Sequence, residues 1–410
     1  MMERQIRKIS GNDYEKFCKL ANSAFQGLNA DKWLKNHIEE TSREDLYGMF
    51  KANELIAGMR SFDFEVNYSS TPIKAGGVGM VAVDMMHKRE RNAYQLLQYL
   101  LQINEKANAN LVMLHPFKVS FYKKMGFGIG TKNYQFYISP GEFPDYKEKG
   151  HLAELGLEDR EGVLDCYNRV YSRTHGMTKR FPFERELNRP FSFGKVIGFV
   201  DEGEVKGYFV YSIEEKDLYI HELFFESPQV LREISTFLHR QSDQINRVVM
   251  NSNSDELLHF VNSPESGQTT MVDFPSATDN KHTANAGIGV MYRIINCINF
   301  FKDLKKKNHQ FNPGVTLSVQ FSINDDFYPS NSMSFIVAFE KGKIVEVNEK
   351  GSYDVEIKMN IAEFSSMVMG VENAHFFLRL GLMEISDSGY RKIINSLFQM
   401  DSKPVVVKAF

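Results

Sequence analysis

Between Gly76 and Leu101 the chain passes from an apolar run, through a cluster of cations, into a helical period, and few folds accommodate that succession. Gly76–Val83 reads as a strand. The cations are Lys88, Arg89 and Arg91, and a helix is expected from about Ala93 to Ala109, with Leu96, Leu97, Leu100 and Leu101 turned to a core. Backbone N–H groups at a helix start lack intrahelical acceptors and sit at the positive end of the dipole, so with flanking Lys or Arg they bind phosphate. The strand's free edge can pair with an extended ligand arm that carries amides. A nucleotide with a pantetheine arm needs both features side by side. The structural alternative is a solvated helix start, the usual fate of a charge run. Cations at that end oppose the dipole, however, and a bound anion relieves the cost.

The flanks are consistent with a mixed sheet. Gln5–Ile9 is expected as a strand, followed by a helix capped by Asn12 or Asp13 with Phe17, Leu20, Ala21 and Phe25 at helical spacing. A short helix near Lys32–Glu40 and strands at Leu46–Lys51 and Leu55–Val66 come next. After the core helix, a strand at Leu111–Leu114 leads to a short helix, Val119–Met125, closed by Gly126, and to a last strand at Tyr134–Ile138. Pro140, Gly141 and Pro144 mark a boundary, and the first domain is set at residues 1–145.

Residues 146–285 partly repeat that order. A helix at Asp159–Arg173 precedes strands at Val196–Val200, Tyr208–Ile213 and Leu218–Phe225, then a helix at Val230–Arg240. The turn Glu226-Ser227-Pro228-Gln229 carries no cation, so this reads as a duplicated domain that has lost its phosphate-facing loop. Ser252–Ala286 is polar and reads as a linker. Residues 286–410 carry a helix (Val290–Leu304), four strands (Val315–Ile323, Met333–Glu340, Lys343–Val347, Val355–Met359) and three more helices, a small α+β domain. A length of 410 residues suits this division.

Composition narrows the function classes. A net charge of −3 and a pI near 6.4 argue against nucleic-acid binding and mildly favour cationic partners such as amines. Cys18, Cys166 and Cys297 are scattered without a CxxC pair, and the histidines show no HxxxH or HExxH spacing, so no metal is expected. No apolar stretch is long enough for a spanning helix, and no signal peptide follows MMERQIRKIS, so a cytoplasmic protein is expected. Gly76-Gly77-Val78-Gly79 is followed by strand rather than helix and is no dinucleotide fingerprint. Ser120 lacks a G-x-S-x-G context.

A second constellation is Phe121-Tyr122-Lys123-Lys124-Met125-Gly126-Phe127-Gly128. A tyrosine one turn before a glycine cap can pack against the sheet or, in an acyl-transfer site, protonate a departing thiolate. The strand, basic loop, core helix and FYKKMGFG block together resemble the GNAT acetyltransferase fold. With the chain length and the aromatic last residue, they resemble the Eis (enhanced intracellular survival) family. That resemblance implies an α+β chain of two GNAT-like mixed-sheet domains, the second degenerate, and a sterol-carrier-protein-like third domain.

It also implies acetyl-CoA as co-substrate. Val81, Ala82 and Val83 would pair with the pantetheine arm. Lys88, Arg89, Glu90, Arg91, Asn92, Ala93 and Tyr94 would line the pyrophosphate, and Phe117 and Lys118 would touch the coenzyme. Tyr122 would be the general acid, and the carboxylate of Phe410, threaded back into the first domain, the general base. The acceptor would be a primary amine (aminoglycoside-like, polyamine or lysine) and the assembly a homo-oligomer, a hexamer. Arg91 stands where the family's R/Q-x-x-G-x-G/A carries its first glycine, Met85 replaces the loop's usual proline, and Ala409 precedes the last residue in place of a carboxylate. Two other readings stay open: a non-catalytic binding protein whose third domain holds an apolar ligand, and a twin-GNAT transferase using charged transfer RNA.

Overall fold

The computed structural model describes residues 4–11, 13–25, 27, 29–31, 34, 43–266 and 281–407. The helix expected near Lys32–Glu40 lies largely outside them. From the N-terminus come β1 (Arg4–Lys8), α1 (Asp13–Ala24), β2 (Glu44–Lys51), β3 (Glu54–Tyr68), β4 (Thr71–Val83), α2 (Asn92–Lys106), β5 (Leu111–Leu114), α3 (Val119–Lys123) and β6 (Gly128–Ile129). β1 to β4 are antiparallel neighbours, and β5 adds to β4 in parallel. Alternate residues of β3 feed two cores, as the two-residue period of a strand requires. Leu55 joins α1's Phe17, Cys18, Leu20 and Ala21, whereas Ile56 and Met59 join α2's Leu96, Leu97, Leu100 and Leu101. The sheet is thus covered on both faces.

The next stretch holds β7 (Lys132–Ile138), β8 (Leu152–Leu155), α4 (Arg160–Arg173), α5 (Glu184–Phe193), β9 (Lys195–Asp201), β10 (Glu204–Glu214), β11 (Asp217–Phe225), α6 (Pro228–His239), β12 (Arg247–Ser252), α7 (Leu257–Phe260) and β13 (Ala284–Ile288). They form one sheet in the order β13-β7-β12-β11-β10-β9-β8. The strand Tyr134–Ile138, expected to finish the first sheet, instead lies here between β12 and β13. Its pairing is long-range and leaves no trace in local periodicity. The duplication is visible in the register. β11 pairs with β12 in parallel only over Asp217–Ile220, as β4 pairs with β5 only over Ala75–Val78, and a bulge follows in each case. α6 then starts at Pro228, close behind the end of β11 at Phe225, whereas α2 waits from Val83 until Asn92.

The remainder gives β14 (Met291–Ile294), α8 (Cys297–Lys306), β15 (Leu317–Asn324), β16 (Met333–Glu340), β17 (Lys343–Asn348), β18 (Val355–Asn360), α9 (Ile361–Val368), α10 (Ala374–Arg379), β19 (Met383–Ile385) and α11 (Arg391–Leu397). The single helix expected over Val290–Leu304 is in fact a strand and a helix, divided where the Asn296 side chain caps α8 by accepting from the Asn299 N–H. A fully buried apolar run fits either element, so periodicity could not separate them. β14 inserts antiparallel between β5 and β6 and completes the first sheet. The third sheet runs β17-β16-β15-β18-β19. Phe301, Phe321, Phe335 and Phe364 fill its core, with neighbouring ring centroids 5.4 to 6.4 Å apart. Two compact units result: the chain up to Thr131 together with the chain from Gly289, and Lys132–Ile288.

Candidate functional site

β4 carries an extra residue opposite β3 near Met80, where φ is +49°. A bulge bends its strand and sharpens the local twist, and beyond Val78 β4 no longer pairs with β5. The β5-facing edge of Val81, Ala82 and Val83 is therefore free of any described strand, while Ala57 and Gly58 hold the other edge through Val83 and Ala82. Ala82 is buried and the two valines half-buried.

The strand leads into a tight 3₁₀ turn, Met85–His87, capped by the Asp84 carboxylate accepting from the Met86 N–H at 2.8 Å. Lys88, Arg89 and Arg91 follow, exposed and without an ion pair to a described residue. Glu90, by contrast, is committed. Arg4 grips it at 2.6 Å and bonds its carbonyl at 3.0 Å, and His87 lies 3.2 Å from its other oxygen. The His87 hydrogen bond holds its carboxyl below the usual carboxylate range. Asn92, buried, donates to the His87 carbonyl at 2.8 Å.

Arg91 is the N-cap of α2, left-handed at φ 61°, and its side chain caps nothing. The first amides of α2, at Asn92, Ala93 and Tyr94, thus remain without an intrahelical or capping acceptor, as a helix start without a side-chain cap must leave them. Free cations and uncapped amides point the same way. An anion fits here.

Across the gap, Lys118 is the exposed N-cap of α3, and Phe117 is 71% exposed. Tyr122 is only 4% exposed, ringed by Phe117, Phe121 and Phe127 at centroid distances of 5.5, 5.2 and 5.9 Å. It shares one apolar cluster with Val78 and Leu114, whose rim includes Val81, Val83, Tyr94 and Val119. The hydroxyl bonds to no described residue. Burial pushes its pKa up to about 12, so the phenol keeps its proton at neutral pH. Such a group can donate a proton and cannot act as a base.

Ala409 and Phe410 lie outside the described residues. The tail before them is tied down: the Thr131 hydroxyl donates to the Pro404 carbonyl at 2.8 Å. Among the described residues no cluster of three or more His, Cys, Asp or Glu side chains is arranged to hold a metal, and no helix is long and apolar enough to cross a membrane. Reading the sequence missed Arg293 and Asp325, a buried pair behind the Tyr122 turn. The one signal for the first was a lone cation inside the apolar run Val290–Ile295.

Residues 5–130 match the family model of an acetyltransferase (GNAT) domain, residues 176–293 that of another acetyltransferase (GNAT) domain, and residues 306–407 that of a sterol carrier protein domain. No curated protein sequence matches the chain. Several solved structures are similar over the full length of both chains. They include a probable N-acyltransferase of unknown function from Enterococcus faecalis (16% identity, TM-score 0.82) and a GCN5-related N-acetyltransferase from Anabaena variabilis (15%, 0.82). Eis1 from Mycobacterium abscessus is another (17%, 0.76). At these identities the likeness is one of fold.

Proposed function

We infer that this chain, an Eis-like GNAT acetyltransferase by its two acetyltransferase domains and its fold, moves an acetyl group from acetyl-CoA to a primary amine in its first domain. The observation that carries the reading is the parting of β4 from β5 beyond Val78, with a cationic, uncapped helix start at the far end of the free strand. Val81–Val83 would hydrogen-bond the amide-bearing arm. The amides of Asn92–Tyr94, with Lys88, Arg89 and Arg91, would hold the pyrophosphate, while Glu90 fixes the loop to β1. Phe117 and Lys118 flank the same gap.

Transfer is direct. The amine, relieved of its proton by the Phe410 carboxylate, attacks the thioester carbonyl, an amide near Val83 polarises that carbonyl, and the Tyr122 hydroxyl protonates the leaving sulfur. The Thr131–Pro404 bond supports a role for the tail. From Pro404 to Phe410 an extended chain spans about 20 Å. Phe127, whose N–H bonds the Tyr122 carbonyl, lies about 13 Å of strand from Thr131. The tail is thus long enough to meet the phenol. Polyamine, aminoglycoside-like and lysine acceptors all fit this chemistry, and a cytoplasmic hexamer is the assembly that goes with it. The rival reading, an apolar ligand held by the third domain, finds no place among the stacked rings of Phe301, Phe321 and Phe335 and would need the groove of mixed polarity lined by Ile323, Met333, Met359, Met383, Lys358 and Glu384.

The test is thiol release from acetyl-CoA across an amine panel. Tyr122→Phe is expected to lower turnover by about 10²–10⁴-fold with coenzyme affinity nearly unchanged, and a chain extended beyond Phe410 is expected to lose turnover as well. Full turnover in either variant removes that residue from the mechanism. Calorimetry showing no acetyl-CoA binding by the unaltered chain would remove the enzyme reading altogether.

A further inference from the structure

The turn that carries Tyr122 is fastened to the third domain by an ion pair in which neither side chain reaches solvent. Arg293, on β14, and Asp325, just after β15, are both 0% exposed. The guanidinium donates from Nη2 to both carboxylate oxygens, at 2.8 and 2.6 Å, and from Nη1 to the Met125 carbonyl at 2.6 Å. Met125 closes the turn after α3: its N–H and that of Phe127 both donate to the Tyr122 carbonyl, at 2.9 and 3.1 Å. Gly126, between them, has φ +76°, and a Cβ there would lie 1.6 Å from Nη1. The glycine makes room for the guanidinium.

The other end of the pair is held as firmly. Asp325 accepts from the Tyr328 N–H at 3.0 Å and from Asn331 Nδ2 at 3.2 Å. The same loop touches α2. The Phe327 ring meets Tyr94 edge-on at 4.5 Å, the Phe327 carbonyl accepts from Gln98 at 3.1 Å, and the Tyr328 hydroxyl donates to Glu105 at 2.6 Å. One loop of the third domain therefore holds, through Arg293, the turn behind Tyr122 and directly contacts α2, the helix whose start is the candidate anion site.

Burying two ions costs several kcal/mol each in desolvation, and apolar residues of similar volume often stabilise a core as well or better. What an apolar pair cannot supply is a directed donor to a main-chain carbonyl. We propose that Arg293, oriented by Asp325, is a positioning residue for acetyl transfer, fixing the Tyr122 turn against the start of α2 through the 325–331 loop. The proposal rests on the reading of Tyr122 as the proton donor. Arg293 meets no substrate; it acts through Met125. Acid–thioester geometry is steep, since a displacement of about 1 Å can cost about 100-fold in rate.

The experiment compares the full-length chain with an Arg293→Met, Asp325→Asn double variant, which removes both charges together and leaves an amide oxygen for the Tyr328 N–H. Expected are a fall in kcat of about 10- to 100-fold with the acetyl-CoA KM within about threefold, a melting temperature close to that of the unaltered chain, and amide exchange over 119–128 about tenfold faster. A variant with turnover and exchange equal to the parent overturns the proposal. Should the double variant not fold, Arg293→Lys, which keeps a cation beside Asp325 without the planar fork, takes its place with the same two outcomes. A Tyr122→Phe chain with full turnover would sink the reading of Tyr122 instead, and the exchange measurement then decides alone whether Arg293 holds the turn.

Discussion

Arg91 occupies a left-handed turn that glycine enters without strain, and its cost there is about 1–2 kcal/mol. Arg91→Gly is therefore expected to hold or raise stability, by up to about 1 kcal/mol in thermal unfolding after the glycine's extra unfolded-state entropy is counted. Acetyl-CoA should bind several-fold more weakly at low salt, with the gap closing as screening rises; calorimetry at two ionic strengths measures it. The glycines of the FYKKMGFG block have another meaning. A Cβ on Gly128 would lie 2.1 Å from the Ala362 carbonyl oxygen, a backbone atom that cannot turn aside. Gly128→Ala should cost about 1–3 kcal/mol, read as a lowered melting temperature. Tyr122 adds a pH signature: with its pKa at about 12, kcat should show no alkaline fall from this group below about pH 11, where an ordinary phenol would already have ionised. At this scale the sequence shows Tyr122, the cations and the glycines, because each lies inside a local motif. It hides what Gly126 and Gly128 make room for, because Arg293 and Ala362 are far along the chain.

Among elements, those with a strong local period appear where the sequence expects them. α2 begins one residue before the expected Ala93, β5 coincides with Leu111–Leu114, and β16 coincides with Met333–Glu340. β12 and α5 were not anticipated, the first because it is short and apolar, the second because Pro190 interrupts its pattern. Partner choice was hidden throughout, and β7 and β14 are the cases that matter, since each pairs with strands far away in sequence. Elements are also tied by charge. His151, just before β8, lies 2.6 Å from Glu233 of α6, and its N–H bonds the same carboxylate at 3.0 Å. That hydrogen bond raises the His151 pKa. A raised pKa contributes stability that is fully present below about pH 6.5 and is lost as pH climbs through the folded-state value. His151→Ala should thus lower the melting temperature more at about pH 5.5 than at about pH 8.5, and an equal loss at both would mean that the imidazolium contributes nothing.

At the scale of the whole molecule, the first sheet is not finished by the first domain. β14 arrives from beyond the second domain and sits between β5 and β6, with Met291, Tyr292, Arg293 and Ile294 all fully buried. Without it, β5 would expose an unpaired edge beside the candidate cleft, β6 would lose its only strand partner among the described residues, and the Met125 carbonyl would lose its donor. A fragment of residues 1–145 carries every proposed coenzyme contact and the tyrosine, so a modular view expects it to bind acetyl-CoA. The sheet order argues otherwise. Removing four core residues opens a void whose filling is worth about 1.5–3 kcal/mol for each large side chain, a large part of any domain's net stability. The fragment is expected to show no cooperative unfolding and no heat of acetyl-CoA binding. Adding residues 281–410 as a separate chain should restore both, because that piece supplies β14, the Arg293–Asp325 pair and the 325–331 loop together. A 1–145 fragment that melts sharply and binds the coenzyme alone would show that β14 only decorates a sheet already complete.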